Sequence, residues 1–238
     1  MGNLAGGINL GISSTCIVRG ARLDADCSVT GGANGGFVTI ALMTGTADPE
    51  VEEQTAKEPK TACGTTLFSV RKRDLIKGWN LSGDIGFWDF EAMSLMFGGS
   101  TVLGESGGDF AGEVIGYADP NFEDTPAQGI YFEIITTTAA EGSGDCIASG
   151  TAPVAFGFIY PKVSFTPGST SYQDDVTVMS FTGKSTKNPN LYNGPWNDFP
   201  GAGYIPNSPR VIVGYTQTEY DAILAAVAPG FVTLPAGS

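Results

Sequence analysis

Residues 77–100 read KGWNLSGDIGFWDFEAMSLMFGGS, and two periodicities meet inside them. Between 78 and 88, Trp79, Leu81, Ile85 and Phe87 fall on one face of an extended chain and Asn80, Ser82 and Asp84 on the other; only Trp88 breaks the alternation. A period of two predicts a strand with one face buried. Beyond it, Phe90, Met93, Met96 and Phe97 recur at helical spacing. Asp89 is placed to cap the first turn, and Gly98-Gly99 to end the last. The stretch predicts a half-buried strand, a short buried helix and a glycine stop, with these apolar residues as core. Such a pattern describes how a subunit is built rather than how a reaction is run.

The rest of the chain has the same character. It holds 34 glycines in 238 residues, against an ordinary frequency of roughly 7 per cent. Abundant Gly, Thr, Ser and aromatic residues favour strands joined by tight turns. The expected fold is mainly β: two packed antiparallel sheets, sandwich or barrel-like, with one short flanking helix and a second short helix near the C-terminus. Further strands are expected at 16–30, 36–44, 65–76, 113–117, 129–138, 153–165 and 210–215, and from Val176 onward after a turn at Pro167-Gly168. The strand at 36–44 is apolar on both faces, so cover on both sides is expected. A short connection at Lys77-Gly78 would make 65–76 the antiparallel neighbour of 78–88. In 218–227, Tyr220, Ile223, Leu224 and Val227 have helical spacing. A single β domain over 16–228 is expected between an N-terminal arm, 1–15, and a C-terminal arm, 229–238. Inside it, 45–64 reads as a long polar loop, 100–111 as a flexible glycine loop and 188–209 as an irregular insertion.

Charge narrows the functional classes. The net charge is −13, and residues 78–161 hold twelve carboxylates with no lysine or arginine. Coating nucleic acid needs clustered cations to neutralise phosphates. The basic cluster Arg71, Lys72, Arg73 and Lys77 is small within so acidic a chain. An acidic surface serves solubility; it also suits a wall that must not hold DNA. The acidic loop segment 48–58 is the natural partner of the basic cluster on a neighbouring subunit, a kind of pair that sets register and association rate more than affinity.

No candidate chemistry gathers its full complement of residues. The chain has no histidine, so a Ser-His-Asp or Cys-His site lacks its base. Residues 104–108, GESGG, match G-x-S-x-G in form only, since the flanks are glycine loop. Asp24 with Asp26, and Asp174 with Asp175, do not continue into a calcium-loop pattern. The glycine pairs 31–32 and 35–36 precede a strand rather than a helix and read as turns. Paired carboxylates for glycoside hydrolysis need a defined separation that sequence does not give. Tyr192, Trp196, Phe199 and Tyr204 in the irregular insertion admit stacking on sugar rings; packing of the loop on its own domain or a neighbour is the simpler reading. The spacings of Cys16, Cys27, Cys63 and Cys146 match no zinc site. With no leader expected, these cysteines read as reduced thiols, a Cys16–Cys27 bridge remaining open. No cofactor or metal is expected, nor insertion into a membrane, because no apolar run approaches the roughly 20 residues needed to span one.

The strand, short apolar helix and paired glycines of 77–100 resemble the signature of the major tail tube proteins of long, non-contractile-tailed bacteriophages. The likeness extends more loosely over about 15–182. It implies a non-enzymatic virion protein, made in the host cytoplasm, that assembles with itself into stacked rings of six and conducts DNA without binding it specifically. The implied partners are a tape measure protein inside the tube and the terminator and tip proteins at its ends. In such proteins a long loop reaches the adjacent ring. The resemblance therefore implies an inter-ring contact through Asp48, Glu50, Glu52, Glu53, Lys57, Glu58 and Lys60, facing Arg71, Lys72 and Arg73. It places Asn80, Ser82 and Asp84 on the lumen face and the two arms over neighbours. Neither 188–209 nor the C-terminal helix maps onto the family pattern. Other readings of the sequence are a capsid decoration or head–tail joining protein, and a carbohydrate-binding or glycosidase β-sandwich.

Overall fold

Alternating side chains and many turn residues build a mainly antiparallel β protein with two short helices. The computed structural model describes residues 11–40, 42–53, 75–85, 89–121, 129–139, 153–172, 177–191, 194–196 and 208–235. In chain order the elements are β1 (Gly11–Arg22), β2 (Gly32–Thr39), β3 (Leu42–Glu52), β4 (Leu75–Ile85), α1 (Phe90–Phe97), β5 (Ser100–Leu103), β6 (Val114–Ala118), β7 (Ile130–Ala139), β8 (Ala155–Tyr172), β9 (Thr177–Thr186), β10 (Val211–Tyr215), α2 (Gln217–Ala225) and β11 (Ala228–Leu234). One large sheet runs β11-β2-β1-β7-β8-β9-β4-β3, with β10 on β8; β5 and β6 form a second, two-stranded antiparallel ribbon.

The helix α1 forms where the sequence reading places it. Asp89 caps it by accepting from Ala92 N at 3.0 Å, and Gly98, at φ 80°, ends it. Met93, Met96 and Phe97 are buried with Trp79 and Leu81, and Phe90 and Ile85 pack at the margin. These residues share a core with Val18, Phe37, Phe132, Val163 and Phe181, so one face of the large sheet closes on α1. The opposite side holds a second cluster, in which Ile17, Val38 and Ile135 meet Tyr215, Tyr220 and Ile223. Phe37 and Val38 thus enter different cores, and β2 is covered on both faces. Helix α2 begins with a capping box: Glu219 N donates to Thr216 Oγ1 while the Thr216 N–H donates to Glu219 Oε2.

Several expected boundaries are corrected. Residues 45–52 are strand, not loop, because β3 pairs with β4 through Thr46↔Ser82, Asp48↔Asn80 and Pro49↔Trp79. An edge strand can hold Pro49 and acids because its outer backbone groups need no partner within the sheet. Leu75 and Ile76 belong to the same strand as Trp79. Lys77 is therefore the extra residue of a bulge between Glu50↔Gly78 and Val51↔Ile76, not part of a turn. Pro167-Gly168 likewise lies within β8, at a shift between Pro167↔Phe181 and Thr170↔Met179. Part of the supposed flexible loop 100–111 is the paired strand β5.

The arms also change. Residues 11–15 belong to β1, and most of the C-terminal arm is β11, paired with β2. Its anchor is Leu234, buried where Gly35 and Gly36 make room; a Cβ on either would lie 3.0–3.1 Å from a Leu234 methyl. Those glycines therefore serve close packing within a sheet rather than a turn. Of the other expected elements, 1–10, 54–74, Phe87, Trp88, Val176, 192–193, 197–207 and 236–238 lie outside the described residues. Among those described, no helix is long and apolar enough to cross a membrane.

Candidate functional site: the polar face of the β3–β4–β9 sheet

Period-two alternation gives β4 two chemically different faces, and pairing extends each across its neighbours. Asp84 lies between Thr44 of β3 and Ser180 of β9; Ser82 lies between Thr46 and Thr182; Asn80 lies between Asp48 and Lys184. Thr182 and Lys184 in turn face Thr166 and Ser164 of β8. The result is a field of short hydroxyl, amide and carboxylate side chains, whose reverse side carries Trp79, Leu81 and Phe181 into the α1 core. Asn80 and Ser82 are exposed and Asp84 is half-buried.

Cross-strand bonds order this field. Thr44 Oγ1 donates to Asp84 Oδ2 at 2.7 Å, and the Thr46 and Ser82 hydroxyls lie 2.7 Å apart. Two shallow depressions of about 340 and 260 Å³ adjoin there, sharing Ser82 and Thr182. Glu50 continues the β3 row and holds Lys184 at 2.7 Å. Three carboxylates, Asp48, Glu50 and Asp84, therefore outnumber the single lysine, and the field carries net negative charge. It offers water many hydrogen bonds and offers phosphate repulsion.

The residues expected at an inter-ring contact distribute differently. Asp48, Glu50 and Glu52 are on β3, with Glu53 just beyond it. Glu52 pairs with Lys77 at 3.1 Å and Glu50 with Lys184, so within the subunit these acids already have cations. Lys57, Glu58, Lys60, Arg71, Lys72 and Arg73 lie outside the described residues, as do Tyr192, Phe199 and Tyr204. Trp196, considered for sugar stacking, instead lies against Arg19, 4.4 Å from the guanidinium, and tilts on Tyr131. Cys27 is a free thiol, so the open Cys16–Cys27 bridge does not form; its Sγ lies 3.1 Å from Lys162 Nζ. Asp26 accepts from Ser28 Oγ and Ser28 N in a turn, and these bonds hold its carboxyl below the usual range. Among the described residues no cluster is suited to a metal ion.

The fold also assembles a buried polar network that no sequence motif announces. Arg19 Nε donates to Glu133 Oε2 at 2.6 Å and Arg19 Nη2 to the Tyr215 hydroxyl at 2.8 Å. Tyr131 donates to Glu133 Oε2 at 2.8 Å and Tyr215 to Glu133 Oε1 at 2.5 Å. Glu133 is wholly buried and Arg19 nearly so. The signal lay in the sequence: one arginine among Ile17, Val18 and Ala21, and one glutamate among Phe132, Ile134 and Ile135. Charges this deep persist only when paired. The network ties β1, β7 and β10 together on the face of the large sheet opposite α1, the face that carries the polar field farther along.

No family model matches the chain, and no curated protein matches it.

Proposed function

We propose that this chain is a structural subunit that polymerises with its own kind into stacked rings, forming the tail tube of a long-tailed bacteriophage through which DNA passes. One observation carries the reading: the β3–β4–β9 part of the large sheet packs one face on the α1 core and presents on the other a negative, hydroxyl-rich field, ending in an edge strand. The edge, β3, is eleven residues long and has no further strand beyond it among the described residues. An open edge of that length invites pairing with another chain. Closing such sheets around an axis removes edges from the wall, and a repeated head-to-tail contact along the axis extends it.

On this reading Thr44, Thr46, Asp48, Asn80, Ser82 and Asp84 face the bore. Short hydroxyls hold a water layer, and the carboxylates keep phosphate from adhering. Six subunits per ring, and a tape measure, terminator and tip protein as partners, follow from the family resemblance. The reading is tested by negative-stain electron microscopy of concentrated purified protein. Hollow tubes of stacked rings are expected; isolated trimers or single rings would favour a capsid decoration or head–tail joining protein, and persistent monomers would overturn self-assembly. The carbohydrate-binding alternative draws no support from Trp196, whose ring is engaged with Arg19 and Tyr131.

A further inference from the structure

The β5–β6 ribbon stands apart from the large sheet and is unusually apolar for an exposed element. Phe110 is 60 % exposed, and Val102, Leu103 and Ile115 are each at least 42 % exposed. The ribbon is anchored by Tyr117, which packs at the margin of the α1 core. Around the apolar side chains lie Glu105, Asp109 and Glu113, with Asp119 just after β6 and no cation from 78 to 161. An apolar, acid-rimmed ribbon of this kind is suited to a partner surface that is also apolar and supplies positive charge.

The register of the large sheet shows where this chain has such a surface. The pairs Arg22↔Ile130, Ile130↔Val163, Val163↔Ser185, Ser185↔Trp79 and Trp79↔Pro49 form one row across it. Lys162 and Lys184 each precede a member of this row by one residue, and Lys77 and Lys187 each lie two residues beyond the Trp79–Ser185 pair. Arg210 sits over the Trp79 ring at 3.5 Å. Apart from buried Arg19, every cation among the described residues is thus at one end of the sheet. Exposed apolar residues are there too: Val51, Leu75 and Ile76. Acids share this end, namely Asp24, Asp26, Asp48, Glu50, Glu52 and Glu53; Glu50 pairs with Lys184 and Glu52 with Lys77, while Lys187 lies beside Lys77 by register.

We infer that the β5–β6 ribbon of one subunit docks on the cation-bearing end of the large sheet of a second copy, Phe110 and Val102 meeting Val51 and Ile76, and the ribbon acids meeting Lys187 and displacing Glu52 from Lys77. A ribbon-to-ribbon contact is disfavoured by like charge on both sides. A contact between two different surfaces propagates rather than closing as a pair. This rests on the self-assembly reading, and it names the surfaces that reading leaves open.

The test is a charge swap on full-length protein. Variant one is Glu105→Lys/Asp109→Lys/Glu113→Lys, and variant two is Lys77→Glu/Lys187→Glu; all five side chains are exposed, and circular dichroism checks folding. Sedimentation velocity across a concentration series at low and high salt reads association. Each variant alone is expected to associate about tenfold or more weakly than the parent, and an equimolar mixture to recover part of that loss at low salt. Phe110→Ser, a change confined to an exposed side chain, is expected to weaken association without lowering the melting temperature. Association of either variant at the parent's strength, or a mixture that recovers nothing, overturns the docking. If the parent forms tubes but the swaps have no effect, the docking falls and the tube reading stands. If the swap recovers association while micrographs show only finite oligomers, the docking stands and the tube reading falls. A parent that stays monomeric sinks both.

Discussion

Removing Arg19 while keeping Glu133 should destabilise the subunit more than removing both. The perturbation is Arg19→Met, which keeps a long apolar side chain beside Trp196 but deletes the cation. Glu133 would then be a wholly buried carboxylate with the Tyr131 and Tyr215 hydroxyls as its remaining partners among those bonds. Breaking a buried ion pair from one side typically costs about 3–5 kcal/mol. That is a large share of a total stability of about 5–15 kcal/mol. At about 2–4 °C per kcal/mol for a chain of this size, the melting temperature should fall by about 6–20 °C. Arg19→Met/Glu133→Leu removes both charges and should recover much of the loss, although it also removes the bonds of the Tyr215 hydroxyl to both of them. Urea unfolding followed by circular dichroism, with all four members of the cycle, gives the coupling energy. A single-mutant cost below about 1 kcal/mol, or a double mutant whose cost equals the sum of the singles, would show that the pair is not coupled as the geometry requires.

Trp79→Ala should cost about 3–5 kcal/mol, because the ring is buried on the α1 side and carries Arg210 on its face; denaturant unfolding checks it, and a change near zero would reverse the assignment of the β4 faces. Gly157→Ala should destabilise by about 1–3 kcal/mol, since a Cβ there would collide with Glu133 Oε1 and lie 2.7 Å from the Tyr215 ring; an unchanged melting temperature would mean the network has room to move. Burial, outweighing the cap bond from Ala92, raises the Asp89 carboxyl above its ordinary value. Its folded form therefore binds the proton more tightly, and the associated stability is present at low pH and lost as pH rises through the folded pKa. Asp89→Asn should accordingly gain melting temperature on the parent at pH 7, with the advantage shrinking as pH falls through the raised folded pKa toward the ordinary carboxylate range; an advantage independent of pH would refute this. Ser82→Arg/Asp84→Arg should leave assembly intact but make assembled protein retain labelled DNA in a salt-sensitive way, and no retention at low salt would take these residues away from the bore.

Several elements were legible because their signals are local. The β4 alternation is visible as Trp79 and Leu81 against Asn80 and Ser82, and α1 has its cap, its spacing and its stop within eleven residues, 89–99. The polar field was only partly legible: Asn80, Ser82 and Asp84 were visible, whereas Thr44 reads as the end of the preceding strand and Thr46 and Asp48 as loop, because Gly45 and Pro49 are turn residues by habit. Pairing overrode that preference, since β4 offered β3 a full set of partners. Pro167-Gly168 misled in the same way, its place in β8 being a register shift that absorbs irregular backbone. Between Phe132↔Tyr160 and Ile130↔Val163, β8 advances three residues while β7 advances two. That bulge passes the core face from Phe158 and Tyr160 to Val163 and Phe165, a change that no fixed period announces.

By itself the sequence determined which segments are strand or helix wherever neighbouring residues set the pattern, which face of β4 is apolar, and how negative the surface is. Those properties depend on backbone sterics, side-chain alternation and composition, all present before the chain folds. Tertiary structure decided which strands meet, that β11 returns to β2, that Arg19 finds Glu133 across 114 positions, and that the described cations other than Arg19 collect at one end. These depend on bringing distant segments together, and a contact between distant residues leaves no mark on either one's neighbours.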